Sequence, residues 1–379
     1  MNKDLKHIVF IIANNSSVPY FLWFAEQNHK TPAFKFSFVC LHHSQPALIE
    51  EVKKFNCDCY WIPFFSEKRK TSMIKAIPKL VSLLKKIKPD IVHSHLFDDS
   101  LPTVIASKIA GIKHRIVTKQ DTTFHWYYAP KAVKYDRLIN KFATKLIAVS
   151  NECKDFIINC EKADPKKIVL IHHGIPLDKL SNATEKHKTE LISRFHLEQK
   201  VVVGTVARLI EWKGHRILLE VLEKLVNIYP TIVFLFAGEG ELKEEIIEIV
   251  RNKNLEKHVV LTGWIDREQI PSLYAIMDIY IHAAKYEPFG FVIAEAMLNG
   301  TPVLSTKTGS ALDAIQTGEN GYLVDYDNVD QFVEGVTFLL NQPDRTIGLK
   351  GKETATNMYS FQRMWDAHIS LYHQCLNKN

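Results

Sequence analysis

Two glutamates, Glu287 and Glu295, stand eight residues apart in KYEPFGFVIAEAMLNGTPVL, residues 285–304. The stretch is otherwise mostly apolar. A buried, unpartnered carboxylate is costly, so Glu295 must reach either a partner or a ligand. Pro288 and Gly290 mark a turn, residues 291–299 read as a helix, and Gly300 reads as its stop before Thr301-Pro302 opens the next strand. The N–H groups at the start of that helix, through Gly290, Phe291 and Val292, are free to bind an anion. Glu295 lies one turn past Phe291 and can share its face. One short unit thus offers a carboxylate, a set of phosphate-binding amides and a second carboxylate. That suits a nucleotide sugar, with hydroxyls at each end and a diphosphate in the middle. A surface helix with two incidental glutamates is the other reading of the same residues.

Two cations follow a β-rich run in ARLIEWKG, residues 207–214. Arg208 and Lys213 at a strand end suit a diphosphate leaving group, whose charge grows as a glycosidic bond breaks. A solvated basic loop is the plainer alternative. His125 follows another β-run in TKQDTTFHWYY, residues 118–128. A lone histidine is more often structural than catalytic. His93 and His95, at the strand end VHSH, are expected to be structural.

Short β-rich runs alternate with helical patterns along the chain. HIVFIIA (7–13), FKFSFVCL (34–41), DIVHSH (90–95), HRIVTKQ (114–120), KLIAVS (145–150) and KIVLIHHG (167–174) form a first series. VVVGTVA (201–207), TIVFLFAG (231–238), HVVLTG (258–263), DIYIHAA (278–284), TPVLST (301–306) and GYLVD (321–325) form a second. Such alternation implies parallel sheets covered by helices. The polar stretch between the series reads as a linker with a short helix. The expected organisation is an α/β chain of two doubly wound domains, residues 1–180 and 199–358, joined by a linker at 181–198. A last helix, within 359–379, is expected to fold back across the first domain. Ligands of such sheets bind outside the carboxyl ends of the strands, so the natural site is the cleft between the domains.

A net charge of +6 on 379 residues is too weak to argue for nucleic acid, and no nucleic-acid module pattern accompanies it. The cysteines fit neither a zinc site nor a disulfide framework, which suggests reduced thiols in a cytoplasmic protein. No apolar run has membrane-spanning length, and the first apolar run, short and without a cleavage site, reads as a buried strand. Residues 68–88, KRKTSMIKAIPKLVSLLKKIK, carry many lysines and no acid between Ile, Leu and Val. That pattern allows peripheral contact with an anionic membrane surface, or simply a solvated helix. Pro78 interrupts it and weakens any long-helix reading.

The E-x7-E spacing inside this string resembles the donor-site motif of family 4 glycosyltransferases with the GT-B fold. PDIVHSH (89–95), AVSNECKDFI (148–157), VGTVARLIEWKGH (203–215), FAGEGEL (236–242), LTGWID (261–266) and ENGYLV (319–324) resemble family segments in the expected order. The resemblance implies two Rossmann-like domains, the first binding the acceptor and the second the nucleotide. It implies that Glu287 contacts the donor sugar, Glu295 binds the ribose hydroxyls, Arg208 and Lys213 meet the diphosphate, and His125, in TTFH, touches the sugar. It implies transfer to an acceptor hydroxyl with retention of configuration, no cofactor and no metal. A UDP-linked donor is favoured over a GDP-linked one, and the expected acceptor is a bacterial surface glycan or glycolipid. The expected location is cytoplasmic, and residues 68–88 leave open peripheral contact at the inner face of the membrane.

The sequence also departs from the family. The first loop, ANNSSVPYF (13–21), lacks the usual glycine pair and has Asn14, Asn15 and Ser16 instead. Asparagine tolerates left-handed backbone, so the loop can still approach the acceptor. KTGSALDAI (307–315) has one glycine where relatives have two, with Gly309 and Asp313 the nearest matches. HHG (172–174) stands where relatives often have Asn-Gly. DYD (325–327) matches a metal motif of the other glycosyltransferase fold, and a surface turn is the expected reading. GEGELK (238–243) lacks the third glycine of a dinucleotide loop. A nucleotide-sugar epimerase and a non-catalytic nucleotide-sugar-binding module are the alternative functions.

Overall fold

The computed structural model describes residues 5–120, 122–180, 183–342 and 345–377. In chain order the strands are β1 (His7–Ala13), β2 (Lys35–His42), β3 (Asp58–Pro63), β4 (Ile91–Ser94), β5 (His114–Lys119), β6 (Lys145–Ala148), β7 (Ile168–Leu170), β8 (Val201–Val206), β9 (Ile232–Ala237), β10 (Val259–Gly263), β11 (Ile279–His282), β12 (Val303–Thr306) and β13 (Tyr322–Val324). Between them run α1 (Pro19–Lys30), α2 (Leu48–Lys53), α3 (Arg69–Ile87), α4 (Phe97–Ile109), α5 (Thr122–Tyr128), α6 (Val133–Phe142), α7 (Asn151–Asn159), α8 (Leu177–Leu180), α9 (Glu185–Phe195), α10 (His215–Leu225), α11 (Lys243–Asn252), α12 (Ile270–Ile276), α13 (Phe291–Leu298) and α14 (Gly309–Ala314). After β13 come α15 (Val329–Leu340), α16 (Thr346–Tyr359) and α17 (Phe361–Asn377).

The chain divides into two compact units, Met1–Ile171 with Trp365–Asn379, and His172–Met364. The first holds a parallel sheet in the order β3-β2-β1-β4-β5-β6-β7, the second a parallel sheet in the order β10-β9-β8-β11-β12-β13. All seven residues of β1 are buried, which is why its sequence is apolar without alternation. Its register runs from His7↔Lys35 to Ala13↔Leu41 on one side and from Ile8↔Ile91 on the other.

The division falls after Ile171, and the described part of 181–198 lies within the second unit. There α9 packs on α12, and Ser272 Oγ accepts from Thr184 N–H at 3.0 Å. From Trp365 onward α17 belongs to the first unit. Trp365 packs on Phe24 at 5.5 Å, and the Tyr372 hydroxyl is hydrogen-bonded to His93 Nδ1 at 2.8 Å. His93 Nε2 is hydrogen-bonded to Thr118 Oγ1 at 2.8 Å, and the ring stacks on His95 at 4.3 Å. Both histidines serve the core.

Two local expectations differ from the structure. Strand β3 was hidden because it is an edge strand, half-exposed, starting at Asp58 and ending at Pro63. An edge needs one hydrogen-bonded neighbour only, so Pro63 and the polar residues are tolerated there. Pro78 does not end its helix: α3 runs unbroken through it for 19 residues. The carbonyl deprived of a partner is that of Ile74, whose residue is 69% exposed and can be hydrated.

Candidate active site

In the second unit every candidate residue follows the carboxyl end of a strand: Arg208 and Lys213 after β8, Glu287 after β11, Gly309 after β12. The parallel sheet therefore gathers them on one edge. Two glycines let the loops there close on each other. A Cβ on Gly214 would lie 2.0 Å from Ala283 O, and Lys285 N–H donates to Trp212 O at 2.8 Å nearby. A Cβ on Gly309 would lie 2.4 Å from Glu287 O and 2.6 Å from Phe289 O, at φ +45°. The loop carrying Glu287 is thus braced from both sides.

Lys213 Nζ donates to Glu287 Oε2, and His282 Nε2 lies 3.6 Å from the same oxygen. Burial would raise the Glu287 carboxyl, but His282 and the Lys213 charge hold it at about 2. His282 is buried, hydrogen-bonded through Nδ1 to the Tyr280 hydroxyl at 3.2 Å, and burial pushes its own pKa down. The result is a fixed carboxylate beside an ammonium, both with limited water access.

Helix α13 begins at Phe291, directly after Gly290. Ile293 N–H, at 3.0 Å from Gly290 O, makes the first bond of the helix, so the Phe291 and Val292 amides precede the ladder. Glu295 accepts from the hydroxyl of fully buried Tyr274 at 3.0 Å. Burial pushes the Glu295 carboxyl up to about 7, against the lowering effects of that hydroxyl and of Arg267. It borders a cavity of about 520 Å³ lined also by Arg208, Gly238, Trp264, Arg267 and Val292. Glu295 therefore has both a partner and an open face. The structure gives the two cations different neighbours: Lys213 is with Glu287, whereas exposed Arg208 shares the cavity with Glu295.

In the first unit Asn14 takes up the left-handed conformation, at φ 62°. Its amide donates to Asp98 Oδ2 at 2.6 Å and its Oδ1 accepts from Ser66 Oγ at 3.0 Å. Asn15 Nδ2 donates to Ala13 O at 3.0 Å, and Ser16 Oγ accepts from Ala47 N–H at 3.0 Å. Asp98 also pairs with Arg69, while Asp99 Oδ1 caps α4 by accepting from His95 and Leu96 N–H at 2.9 and 3.0 Å. His125, on α5, is hydrogen-bonded through Nδ1 to Asp136 Oδ2 at 2.9 Å and meets the Phe97 ring at 4.3 Å.

Sequence reasoning missed several of these partners. Tyr280 and His282 sit two apart on β11, and that spacing puts polar side chains on one face of an apolar strand. Asp98 and Asp99 stand just after β4 in a first helical turn, a capping signal. Tyr274, Trp264 and Arg267 carried no local signal. Asp325 of the DYD turn pairs with Lys307 at 2.8 Å and is half-exposed. Among the described residues no cluster of His, Cys, Asp or Glu is placed to hold a metal ion, and no helix is long and apolar enough to cross a membrane.

Comparison with known proteins covers both units. Residues 188–358 match the family described as Glycosyl transferases group 1, and residues 32–179 match Glycosyltransferase Family 4. The chain is 27% identical over 295 residues to UDP-Gal:alpha-D-GlcNAc-diphosphoundecaprenol alpha-1,3-galactosyltransferase of Escherichia coli, covering 75% of each chain. It is 26% identical over 352 residues to the capsular polysaccharide biosynthesis glycosyltransferase CapM of Staphylococcus aureus, covering 87% of this chain and 89% of the relative. Among solved structures, HepE of Anabaena in complex with UDP superposes with a TM-score of 0.81 at 18% identity, covering 97% of this chain and 100% of that one. Sucrose-phosphate synthase from Thermosynechococcus elongatus gives 0.81 at 16% identity, covering 99% and 100%.

Proposed function

Since the chain belongs to the family 4 glycosyltransferases and is an enzyme of the GT-B fold, we propose that it moves a sugar from a UDP-linked donor to an acceptor hydroxyl with retention of configuration. The observation that carries this reading is α13 and its approach. Within a few residues stand Glu287, paired with Lys213 from another loop, the two amides ahead of the helical ladder, and Glu295 bordering a cavity. In this reading the diphosphate lies on the Phe291 and Val292 amides, with Arg208 and Lys213 meeting its charge. Glu287 orients the sugar, and Glu295 takes the ribose hydroxyls with the base in the cavity beside Trp264. The leaving phosphate, on the same face as the incoming hydroxyl, helps remove its proton. Cationic side chains and amides carry the leaving-group charge without a metal, a point checked by activity in the presence of a chelator.

The first unit binds the acceptor through the loop of Asn14, Asn15 and Ser16, and His125 meets a substrate hydroxyl. Two relatives are named for galactosyl transfer to a diphosphoundecaprenol-linked sugar and for capsular polysaccharide biosynthesis, which favours a surface glycan or glycolipid acceptor. α3 supports a peripheral site of action at the inner membrane face. Lys70, Lys75, Lys79, Lys85 and Lys86 are exposed along it, beside exposed Ile74, and the helix has no acid. Sedimentation with vesicles of anionic and of neutral lipid tests this; equal binding to both refutes it.

The deciding experiment for the donor is a thermal-shift screen with UDP, GDP, ADP and their sugar conjugates on the wild type and Glu295→Ala. Stabilisation by UDP compounds, lost in the variant, is expected. Absence of any nucleotide effect refutes the donor-site reading.

A further inference from the structure

At the edge of the first sheet opposite the Asn14 loop lies a groove that the transfer chemistry above does not use. It opens where β1, β4 and β5 begin and where α3, α4 and α17 end, and its volume is about 710 Å³. Every residue lining it belongs to the first unit. Lys6, Lys85, Lys88 and Lys113 bring ammoniums to it, and His114 an imidazole. Asp90 is the one carboxylate in the lining, and it is already engaged. Its Oδ1 pairs with Lys6 Nζ at 3.1 Å, and its Oδ2 accepts from His7 N–H at 2.8 Å. Among the described residues, the side chains of Lys85, Lys88, Lys113 and His114 have no ion pair and no hydrogen bond.

Helix capping does not account for these cations. The last carbonyls of α3 and α4 accept from backbone N–H groups of the turns: Leu84 O from Lys88 at 2.9 Å, Ser107 O from Ile112 at 2.9 Å, and Lys108 O from Gly111 at 3.2 Å. Lys88 makes its bond in the left-handed conformation, at φ 46°, where glycine would be unstrained, so the position holds a lysine against backbone preference. Each of the three helix ends brings about half a negative charge, so three unpaired ammoniums leave an excess of about one and a half positive charges. His114 stands in that field. Burial lowers its pKa, and the charges of Lys113 and Arg115 lower it further against Asp90. At neutral pH the ring is therefore uncharged and keeps one N–H to donate. The excess matches a phosphomonoester, which carries about −1.5 to −2 at pH 7. A carboxylate, with a single charge, would leave part of it unmet. The volume falls in the range of sites for organic ligands, about 300–1,000 Å³, and Pro89, Ala110 and Leu376 add apolar surface beside the cations.

We propose that this groove binds the phosphate group of an organic phosphomonoester, with Lys85, Lys88 and Lys113 donating to its oxygens and His114 donating from the start of β5. The group belongs to a soluble phosphate ester or to the headgroup of an anionic lipid, and the test separates the two. The proposal rests neither on the donor-site reading nor on contact of the rest of α3 with a membrane.

The test uses the full chain in excess UDP, which keeps the probes off the donor site. Glycerol 3-phosphate is titrated by calorimetry, and phosphatidylcholine vesicles with and without phosphatidic acid are sedimented with the protein. Lys88→Gln with Lys113→Gln removes two of the three ammoniums, both on exposed side chains. Lys75→Gln with Lys79→Gln, on α3 but outside the groove, is the control. Wild type and control are expected to bind one of the probes alike, and the groove variant roughly 10–100-fold more weakly, the scale of hydrogen bonds between charged groups. Binding of glycerol 3-phosphate assigns a soluble ester; binding only to vesicles with phosphatidic acid assigns the lipid headgroup. In either case the His114 signal, followed by nitrogen-15 NMR of histidine-labelled chain and assigned through His114→Gln, is expected to shift on binding. Binding of neither probe overturns the proposal. Equal binding by wild type and groove variant overturns it, and so does a control as weak as the groove variant, which would place the charge on the α3 face. Stabilisation by UDP is measured separately and is expected to be the same in wild type and groove variant, so the donor-site reading stands or falls on its own.

Discussion

Replacing Glu295 by glutamine separates what that carboxylate costs the fold from what it does for a ligand. Burial lifts its pKa from the ordinary 4.5 to about 7. Between those values the folded chain holds a proton that the unfolded chain has released. Stability therefore falls as pH rises from about 4.5 to about 7, and the full cost persists above that. At about 1.4 kcal/mol per pKa unit the cost at pH 8 is ~3 kcal/mol, an upper figure because Glu295 borders an open cavity. Glutamine keeps the shape and can still accept from the Tyr274 hydroxyl, but it cannot ionise. Glu295→Gln is therefore expected to be more stable than the wild type at pH 8 and nearly equal at pH 5. For a unit of this size, a shift of roughly 2–4 °C per kcal/mol makes the expected gain at most about 6–12 °C. Scanning calorimetry of the full chain without nucleotide, from pH 5 to 8.5, measures it, following the transition of the second unit. Added UDP should then stabilise the wild type more than the variant. Equal melting temperatures at pH 8, or a gain of the same size at pH 5, refutes the reasoning.

Glu287 has the opposite sign. Held at about 2 by His282 and Lys213, it contributes stability above about pH 4.5 that is lost as pH falls through 2. Glu287→Gln should cost ~3 kcal/mol at pH 7 by leaving Lys213 unpaired, and Lys213→Met in the same chain should return part of it; additive losses in denaturant titrations would contradict the pairing. Gly309→Ala should displace the Glu287 loop, abolish transfer and cost ~2–4 kcal/mol, since its Cβ meets two backbone oxygens. Gly111→Ala, at φ +79° with nothing within 4 Å, should cost only ~1–2 kcal/mol and keep activity; equal losses in the two variants would show that the contact does not matter. Burial with His95 and His368 nearby keeps His93 well below its ordinary 6.5, so the stability it contributes is present above pH 6.5 and lost as pH falls. Near-ultraviolet circular dichroism from pH 7 to 4 should show the first unit loosening, with a shallower acid limb in His93→Gln.

The sequence alone determined the two parallel sheets, because strands buried on both faces must be apolar without alternation and their helical crossovers must separate them. Among the described residues, twelve of the thirteen strands were visible as short apolar runs, from HIVFIIA to GYLVD. It also determined α13, with Glu287 before it and Glu295 within it, since a turn, a helix start and a stop are local signals. Edge strand β3 was hidden because half-exposure removes the apolar contrast, and the continuity of α3 through Pro78 depends on which face of the helix meets water. Only the tertiary structure decided what each charged group faces. Lys213 finds Glu287 across 74 residues, Glu295 finds Tyr274 across 21, and His125 finds Asp136 from a different helix. None of these pairs follows a helical or strand period, because each joins residues of separate elements or loops that only the folded chain brings together. The pKa of each carboxylate follows from that meeting. Glu287 and Glu295 are the same residue type eight positions apart, and burial beside a cation holds one at about 2 while burial beside a hydroxyl lifts the other to about 7.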